Sequence, residues 1–584
     1  MIKYKITYQQ PTKQYLSIDA IFDCENQSEI VLQFPAWRPG RYELGNFAKN
    51  IKNFTIHDEN NKKLLFEKVK KDSWLVKCEK AKQLVVTYLY YAHEINAGSS
   101  YMDDVQLYVN PVNCLVYIES EQNKPCSLEL NIPDNFKIAC GATHQNNIIT
   151  CEDFHVLVDS PFIASASLQT RTYEILSYKF HIWFQGDVVV DWNKVISDFE
   201  KFTKIQIEKF SNRRKKKLGF PVKEYHFLYQ ILPYKTYHGV EHKSGTVIAL
   251  GPGNELMTER YDDFLGVSSH ELYHAWNIKS IRPKEMYPYD YSKENYSYLG
   301  YVAEGVTTYL GDVFLAESNV KDFEWYRSEI EKLLQKHFDN FARFNYSVAE
   351  SSWDTWLDGY VKGTPERKVS IYNEGALLAF VADMKIRQGS NNKASIHDVM
   401  YTLYHEYALK NKGYTEEDYI KLCSQYSGED FGEIFRNQIH GTLPFESILA
   451  EAFETIGFYL DMELNPSHSK RILGIKTVEV DGNYFIQDIY PGGSAEIGEL
   501  MIGDQILQVN STPISKTLDE TIAPFKDLPL ELKIMRMGRE LNITCPNTNR
   551  SIYPIYKIKK IKIPSNVNKR TFKSWIGYNL DEIK

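Results

Sequence analysis

The sequence predicts a multidomain α+β protein with an N-terminal antiparallel β domain, a mainly helical middle domain and a further β-patterned unit near the C-terminus. The chain has 584 residues, which is too many for one hydrophobic core at a typical size of ~150 residues per domain. Apolar residues alternate with period two in the first part of the chain and recur at helical spacing from about residue 190. Strand-like alternation returns after the helical region.

Residues 1–165 form the predicted β domain. Apolar and β-branched residues alternate with polar ones in Ile2–Tyr8, Ile30–Phe34 and Leu84–Tyr91. Turn-forming residues such as Pro133–Asn135 separate these segments. Short strands divided by turns are typical of an antiparallel sheet.

Residues 166–455 form the second predicted domain, and its helical periodicity begins with Trp192–Asn212. The third unit, residues 465–548, has strand periodicity again. Residues 549–584 mix lysine with Ile, Tyr and Trp575, and we expect a C-terminal tail that is either an added strand or a loosely ordered segment.

The most informative motif is His270-Glu-Leu-Tyr-His274 in the middle domain. Residues four apart lie on the same face of a helix, so both imidazoles can point at one ion. Apolar residues recur at helical spacing from Tyr261 to Asn277, and Asp262 or Asp263 can cap the start. The motif is therefore predicted to lie on a helix.

A catalytic metal site needs more than these two histidines. Glu271 lies beside them, where a carboxylate can take a proton from a metal-activated water. Glu304 is the candidate third ligand, because it lies on the next predicted helix, Leu299–Leu315. Two histidines, one glutamate and water form a catalytic zinc geometry, so we expect one Zn²⁺ per chain. Asp312 is a candidate acceptor for the second N–H of a ligating histidine.

Four segments resemble those of the glycyl aminopeptidase family of PDZ-containing zinc peptidases: His270–Pro283, Pro288–Tyr291, Glu304–Asp312 and Phe34–Tyr42. Members of this family are gluzincins, so the resemblance implies a thermolysin-like catalytic domain at 166–455. It also implies aminopeptidase activity with a preference for small N-terminal residues, glycine or alanine.

The third unit resembles a PDZ domain in Ile472–Ile475, Pro491–Ala495 and Ile502–Asn510. A PDZ domain pairs an extended peptide with a sheet edge and holds the terminal carboxylate on backbone N–H groups. The unit is therefore expected either to bind a peptide C-terminus or only to pack against the catalytic domain.

The segment His238–Ser244 looks like the edge-strand motif with which gluzincin aminopeptidases hold their substrate. Gly239 would let the substrate backbone approach closely, and Glu241 would pair with the free α-ammonium group. The alternative for Glu241 is an ordinary surface carboxylate. His242 is expected to be a structural or groove residue, because two histidines and one glutamate already complete the protein's ligands.

Tyr372 opens another predicted helix, in a segment similar to the Tyr-x-Lys-Gly pattern of the wider aminopeptidase superfamily. In that pattern the phenol donates to the tetrahedral oxyanion, so the resemblance implies that Tyr372 is catalytic together with Glu271. The chain departs from the pattern at Glu374, where lysine is usual, which leaves the local electrostatics open. The alternative for Tyr372 is a packing role.

These residues predict a zinc metallo-aminopeptidase whose partners are peptides with a free N-terminus. One alternative is a zinc endopeptidase in which Glu241 does not bind an amine. The other is a peptide-binding PDZ protein with a degenerate catalytic domain. The presence of all four residues of the predicted metal site argues against it: His270, Glu271, His274 and Glu304.

Composition excludes some classes of function. The net charge of −8 gives no reason to expect a nucleic-acid partner, and the basic run Arg213–Lys217 is interpreted as a solvated helix end. No window reaches the ~18 apolar residues of a membrane span, and the first residues lack the apolar region of a signal peptide. The sequence as written is expected to be cytoplasmic, with a periplasmic or secreted location left open if the chain has been trimmed.

Overall fold

The computed structural model describes residues 1–25, 27–211, 219–361, 363–548 and 550–583. The basic run at 213–217 lies outside these described residues. The predicted fold class is confirmed, since a β-rich N-terminal region, a largely helical middle region and a PDZ-like β domain follow one another. Among the described residues, no helix has the length and apolar character needed to cross a membrane.

The N-terminal region is built from strands whose burial alternates with period two, as in Tyr15–Asp23. Its elements are β1 (Ile2–Thr7), β2 (Tyr15–Asp23), β3 (Glu29–Gln33), β4 (Ile51–His57), β5 (Phe66–Lys70), β6 (Ser73–Lys77), β7 (Gln83–Tyr91), β8 (Tyr101–Met102), β9 (Gln106–Val109), α1 (Pro111–Cys114), β10 (Cys126–Asn131), β11 (Lys137–Cys140), β12 (His144–Gln145), β13 (Ile148–Cys151), α2 (Phe154–Val158) and β14 (Phe162–Ser165).

These strands form three sheets, in the orders β12-β13-β10-β1-β2-β7-β4, β11-β14-β9-β8 and β3-β6-β5. Within the described residues the pairs are antiparallel except for β1 with β10, which are parallel. Strands that are neighbours in sequence pair as hairpins, whereas strands joined by a long connection can pair in either direction. The predicted antiparallel domain therefore contains one parallel pair.

The middle region combines a sheet with a set of helices. Its elements are β15 (Gln169–Ile175), β16 (Tyr178–Gln185), α3 (Trp192–Phe210), β17 (Glu224–Ile231), β18 (Thr236–His242), β19 (Gly245–Gly251), α4 (Gly253–Leu256), α5 (Tyr261–Tyr273), α6 (Thr307–Glu317), α7 (Phe323–Phe338), α8 (Val348–Trp353), α9 (Thr355–Asp358), α10 (Ile371–Gly389), α11 (Ile396–Thr402), α12 (Glu416–Ser427), α13 (Gly432–Ile434) and α14 (Glu446–Thr455).

The sheet of this region has the order β15-β16-β17-β19-β18, with β17 parallel to both of its neighbours. The sequence indicated the edge strand β18, through the segment His238–Ser244, but it did not indicate β17, because buried parallel strands are apolar on both faces and lose the alternating pattern. Strand β18 lies at the sheet edge beside α5. Tyr108 and Ile163 of the N-terminal region pack with Leu228, Val240 and Val247 of the sheet, so the N-terminal region covers one sheet face.

The C-terminal part contains β20 (Phe458–Glu463), β21 (Ile475–Val480), β22 (Asn483–Ile489), α15 (Ser494–Ile497), β23 (Gln505–Val509), β24 (Thr512–Pro513), α16 (Leu518–Ile522), β25 (Leu530–Arg536), β26 (Arg539–Cys545), β27 (Ile555–Lys560) and α17 (Asn566–Ile576). The PDZ-like sheet has the order β21-β22-β23-β25-β26, with β24 beside β23. Strand β20 pairs with β27, so the PDZ-like unit is inserted between two strands that belong together.

The segment predicted as a C-terminal tail is an ordered part of the hydrophobic core of the middle region. Phe572, Trp575 and Ile576 of α17 are buried in the same core as the helices of the middle region, and the Trp575 indole donates to the Tyr309 hydroxyl at 2.8 Å. The expected added strand is present as β27. The expectation of a loosely ordered segment is wrong for α17, which is a packed helix. The spacing of the three buried residues on α17 is the signal that could have shown this.

Candidate metal centre

The histidine motif lies at the C-terminal end of α5. His270 and Glu271 are in its last turn, and His274 follows with φ −60° and ψ −20°, which are still helical angles. The helix ends at Tyr273 rather than continuing to Asn277 as predicted. The two histidines nevertheless keep the spacing of a helical turn, and their rings lie 4.6 Å apart between centroids.

Three candidate ligand atoms converge at this point. Nε2 of His270 and Nε2 of His274 are 2.9 Å apart, and Oε2 of Glu304 lies 3.9 Å from the first and 3.4 Å from the second. Glu304 and His274 are buried, whereas His270 is partly accessible. The structure thus brings the three predicted ligands together, with solvent access on the side of His270.

The hydrogen bonding of this group fits a cation. The Nδ1–H of His274 donates to the backbone carbonyl of Asn277 at 2.6 Å, since a carbonyl oxygen can only accept. In a neutral ring this leaves a lone pair on Nε2, which faces the carboxylate of Glu304, another acceptor. Although burial opposes it, the hydrogen bond and charge of Glu304 raise the pKa of His274 to about 10. The site therefore favours positive charge, and its His₂Glu donor set suits Zn²⁺.

Glu304 is carried by a π-helical turn, Tyr301–Val306, that leads directly into α6. The next residue, Gly305, lies against Gly375 of α10, and a Cβ on either glycine would overlap backbone atoms of the other helix. This close crossing brings the first turn of α10 next to the candidate ligand Glu304. π-Helical turns are frequent at functional sites.

Tyr42 of the N-terminal region completes the surroundings of Glu304. Its hydroxyl donates to Oε1 of Glu304 at 2.9 Å, and the side chain is 7% exposed. The bond fixes the carboxylate oxygen that does not face the histidines. Tyr42 ends the family-like segment Phe34–Tyr42, but no local pattern in the sequence indicates its contact with the distant Glu304.

Asn277 was also missed as a site residue. Besides accepting from His274, it donates through its side chain to the carbonyls of Val302 and Ala303, next to Glu304. Asn277 therefore fixes α5 relative to the π-helical turn. The prediction that Asp312 accepts from a ligating histidine is wrong for His274, whose acceptor is a backbone carbonyl.

Glu271 lies between the ligand group and strand β18. Its carboxylate accepts from the Thr246 hydroxyl at 3.3 Å and lies so close to Gly239 that a Cβ there would collide with it. Burial raises the pKa of Glu271 to about 8, with an opposing effect from His274 and a further increase from Glu241. Gly239 therefore has a second reason to be glycine, since it leaves room for a basic carboxylate.

Glu241 is a buried carboxylate at the same edge strand, 6% exposed. Among the described residues, no hydrogen bond or ion pair reaches its side chain, although the backbone of Gly40 packs against it. The structure therefore does not support the alternative that Glu241 is an ordinary surface carboxylate. His242 contacts Asp159 of the N-terminal region at 3.1 Å instead of the ligand group.

Tyr372 stands in the first turn of α10 and is 39% exposed. Loss of solvent around its hydroxyl and the negative charge of Glu304 raise the pKa of Tyr372 well above its usual value, and Glu241 adds to the effect. The phenol therefore stays protonated and able to donate. Glu374 does not disturb it, because its buried carboxylate accepts from Nδ1 of His337 at 2.6 Å.

A second group with possible ligand atoms consists of His181, Glu224 and His226 on strands β16 and β17. The indole N–H of Trp183 donates to Nδ1 of His226 at 3.2 Å, which leaves the proton of a neutral ring on Nε2. Glu224 is also exposed and near Lys179. The hydrogen bonding of this group is less suited to a metal than that of the first.

Two histidines in a His-Glu-x-x-His motif, with a carboxylate as the third candidate ligand and a nearby basic glutamate, define a metal-dependent hydrolase site. Three family models match the chain: the Peptidase M61 N-terminal domain at 3–166, the M61 glycyl aminopeptidase at 263–378 and the PDZ domain at 461–535. The chain is a PDZ-containing peptidase of the M61 family.

The fold is shared with a solved structure. An aminopeptidase N family protein from Idiomarina loihiensis shares 22% identity at a TM-score of 0.89, over 99% of this chain and 100% of that chain. An M1 zinc metallopeptidase from Deinococcus radiodurans has 14% identity and a TM-score of 0.46, over 76% of this chain and 94% of that chain. No curated protein sequence matches significantly.

Proposed function

We propose that this protein is a zinc-dependent aminopeptidase that releases small N-terminal residues, glycine or alanine, from peptides. The observation that carries the proposal is the buried, unpaired carboxylate of Glu241 beside the metal-ligand group. A metal site alone supports hydrolysis of many substrates. A desolvated carboxylate without a partner supports binding of a cation, and every unblocked peptide offers its α-ammonium group.

Two further findings support the finer points of the proposal. The match to the M61 glycyl aminopeptidase model supports a small N-terminal residue. The packing of Gly40 against Glu241 supports limited space around the bound ammonium. The PDZ match supports peptide binding by the inserted domain, for which we propose a C-terminal peptide as ligand.

His270, His274 and Glu304 would hold the zinc ion, which supplies Lewis acidity that lowers the pKa of water and polarises the scissile carbonyl. Glu271 accepts the proton of the attacking water and returns it to the leaving amine. Thr246 and the backbone at Gly239 hold the Glu271 carboxylate in place for both transfers.

Tyr372 donates a hydrogen bond from its phenol to the developing oxyanion. A donor directed at charge that appears only in the transition state typically lowers the barrier by ~3 kcal/mol. Glu241 binds the α-ammonium group and so places the first peptide bond, rather than a later one, at the reacting atoms. The product is then a single amino acid.

The test compares free and N-acetylated peptides with the parent protein and two variants. Glu241→Gln should lower kcat/KM for glycyl and alanyl peptides roughly 30- to 150-fold, because about 2–3 kcal/mol of charge-assisted binding is lost. Glu129→Gln is the control, since Glu129 is an exposed carboxylate on strand β10 that pairs with Lys5 at the surface. It should leave the rate unchanged.

An endopeptidase is the second candidate function. Equal cleavage of N-acetylated and free peptides by the parent would favour it and reject the aminopeptidase proposal. An unchanged rate for Glu241→Gln would reject the ammonium-binding role of that carboxylate.

A further inference from the structure

A buried arginine without an acidic partner lies in the loop that leads to Tyr42. Arg38 is 5% exposed, and among the described residues no carboxylate lies within 4.0 Å of its guanidinium. Within the described part of the chain, the Arg38 side chain donates from Nη1 to the carbonyl of Pro39, at a long distance of 3.5 Å. Arginines are rarely buried unless they are paired, because a desolvated charge is costly.

The loop of Arg38 belongs to the candidate active site. Gly40, two residues further along, packs against the Glu241 carboxylate. Burial lowers the pKa of Arg38, and this effect is opposed by Tyr360 and more weakly by Glu241. The positive charge is therefore close enough to Glu241 to interact with it but is not neutralised by it.

The guanidinium lies directly against the backbone of Gly98, where a Cβ would collide with it. It borders a cavity of about 250 Å³ that is also lined by Asn96 and Ser99. Arg41 lines the same cavity and provides an internal comparison, because its Nε donates to Glu43 at 3.0 Å. Of the two arginines in this loop, only Arg38 lacks a carboxylate partner among the described residues.

We propose that Arg38 binds the α-carboxylate of a short peptide substrate, so that Glu241 and Arg38 recognise the two charged ends of one molecule. This inference rests on the proposed aminopeptidase function and names its substrate class: short peptides with both termini free. A guanidinium presents donors in a planar fork that matches a carboxylate. A bound carboxylate would supply the counter-charge that the buried Arg38 lacks.

Binding is measured by calorimetry in the zinc-loaded Glu271→Gln protein, which keeps both charged anchors but turns over slowly. The ligands are glycyl-alanine, glycyl-alaninamide and glycyl-glutamic acid α-amide, which carries its carboxylate only on the side chain. Glycyl-alanine should bind roughly 10- to 150-fold more tightly than either amide, since a hydrogen-bonded ion pair is lost in both. Equal affinity for glycyl-alanine and its amide would overturn the proposal.

Variants in the same background assign the effect to Arg38. Arg38→Gln should reduce the affinity for glycyl-alanine to that of its amide and leave the amide unaffected, whereas Arg41→Gln should keep the preference. A preference that survives Arg38→Gln would overturn the assignment. If Arg38→Gln does not fold, Gly98→Ala tests the same point, because the added methyl displaces the guanidinium while Arg38 remains. A preference that survives Gly98→Ala would equally count against it.

These outcomes are separate from those of the aminopeptidase proposal. If glycyl-glutamic acid α-amide binds as tightly as glycyl-alanine, Arg38 binds a side-chain carboxylate and the α-carboxylate proposal is wrong. If N-acetylated peptides are cleaved as fast as free ones, the aminopeptidase proposal fails, and the comparison of acid with amide still reports on Arg38.

Discussion

Removing one hydroxyl from the N-terminal region should weaken a metal site in the middle region. In Tyr42→Phe the ring keeps its edge contact with Trp356, at 6.1 Å between centroids, but the hydrogen bond of 2.9 Å to Glu304 is lost. Hydrogen bonds to charged groups contribute ~1.5–3 kcal/mol, and partners that orient a metal ligand typically change affinity by about 10- to 100-fold. We expect the dissociation constant for zinc to rise within that range.

The assay is competition with a chromophoric chelator of known zinc affinity. Tyr289→Phe is the matched control, because Tyr289 is also a buried tyrosine between the two regions and packs against Trp37 through its ring. It should bind zinc like the parent. If Tyr42→Phe is folded and binds zinc as tightly as the parent, the bond from Tyr42 does not orient Glu304, and the reasoning is refuted.

Three further predictions concern the base and the contact between regions. Glu271→Gln should keep zinc and lose about 10²- to 10⁴-fold in kcat, since an amide cannot accept the proton; loss of zinc as well would indicate a structural role. Gly239→Ala should lower kcat with zinc retained, because the new Cβ displaces the Glu271 carboxylate; an unchanged rate would show that the carboxylate can move freely. Asp159→Asn should destabilise the protein by ~3–5 kcal/mol in denaturant unfolding, because it leaves the buried Lys279, 2.7 Å away, without its partner. Burial alone would raise the pKa of Asp159, but Lys279 lowers this pKa well below its usual range. The stability that the ion pair contributes is therefore present above the unfolded-state pKa of ~4 and is lost as the pH falls below that value. Glu129→Gln, which breaks an exposed pair, should show no such pH-dependent loss.

The metal-binding part of the site could be predicted from the sequence because it depends on local geometry. The spacing of His270 and His274 is set by the helix itself, and Glu304 could be proposed because the next apolar run is also helical. What the sequence could not show is the distance between them, which depends on the Asn277 bonds to the carbonyls beside Glu304.

The residues that were missed act through long-range contacts. Tyr42 contacts Glu304 from the N-terminal region, and the sequence pattern around Tyr42 does not indicate this contact. Glu374, whose place in the sequence pattern left the local electrostatics open, is partnered by His337 on a different helix. Such partners follow from packing, which a single sequence does not encode in any local pattern.

The most direct test of the central claim is a zinc titration of metal-free protein with two simultaneous readouts, bound zinc per chain and free glycine released from an unblocked glycyl peptide. We predict that glycine release rises in proportion to bound zinc and stops rising at one ion per chain, while the N-acetylated peptide stays intact. Glycine release at full rate without metal, or no release of free amino acid at full zinc occupancy, would contradict it.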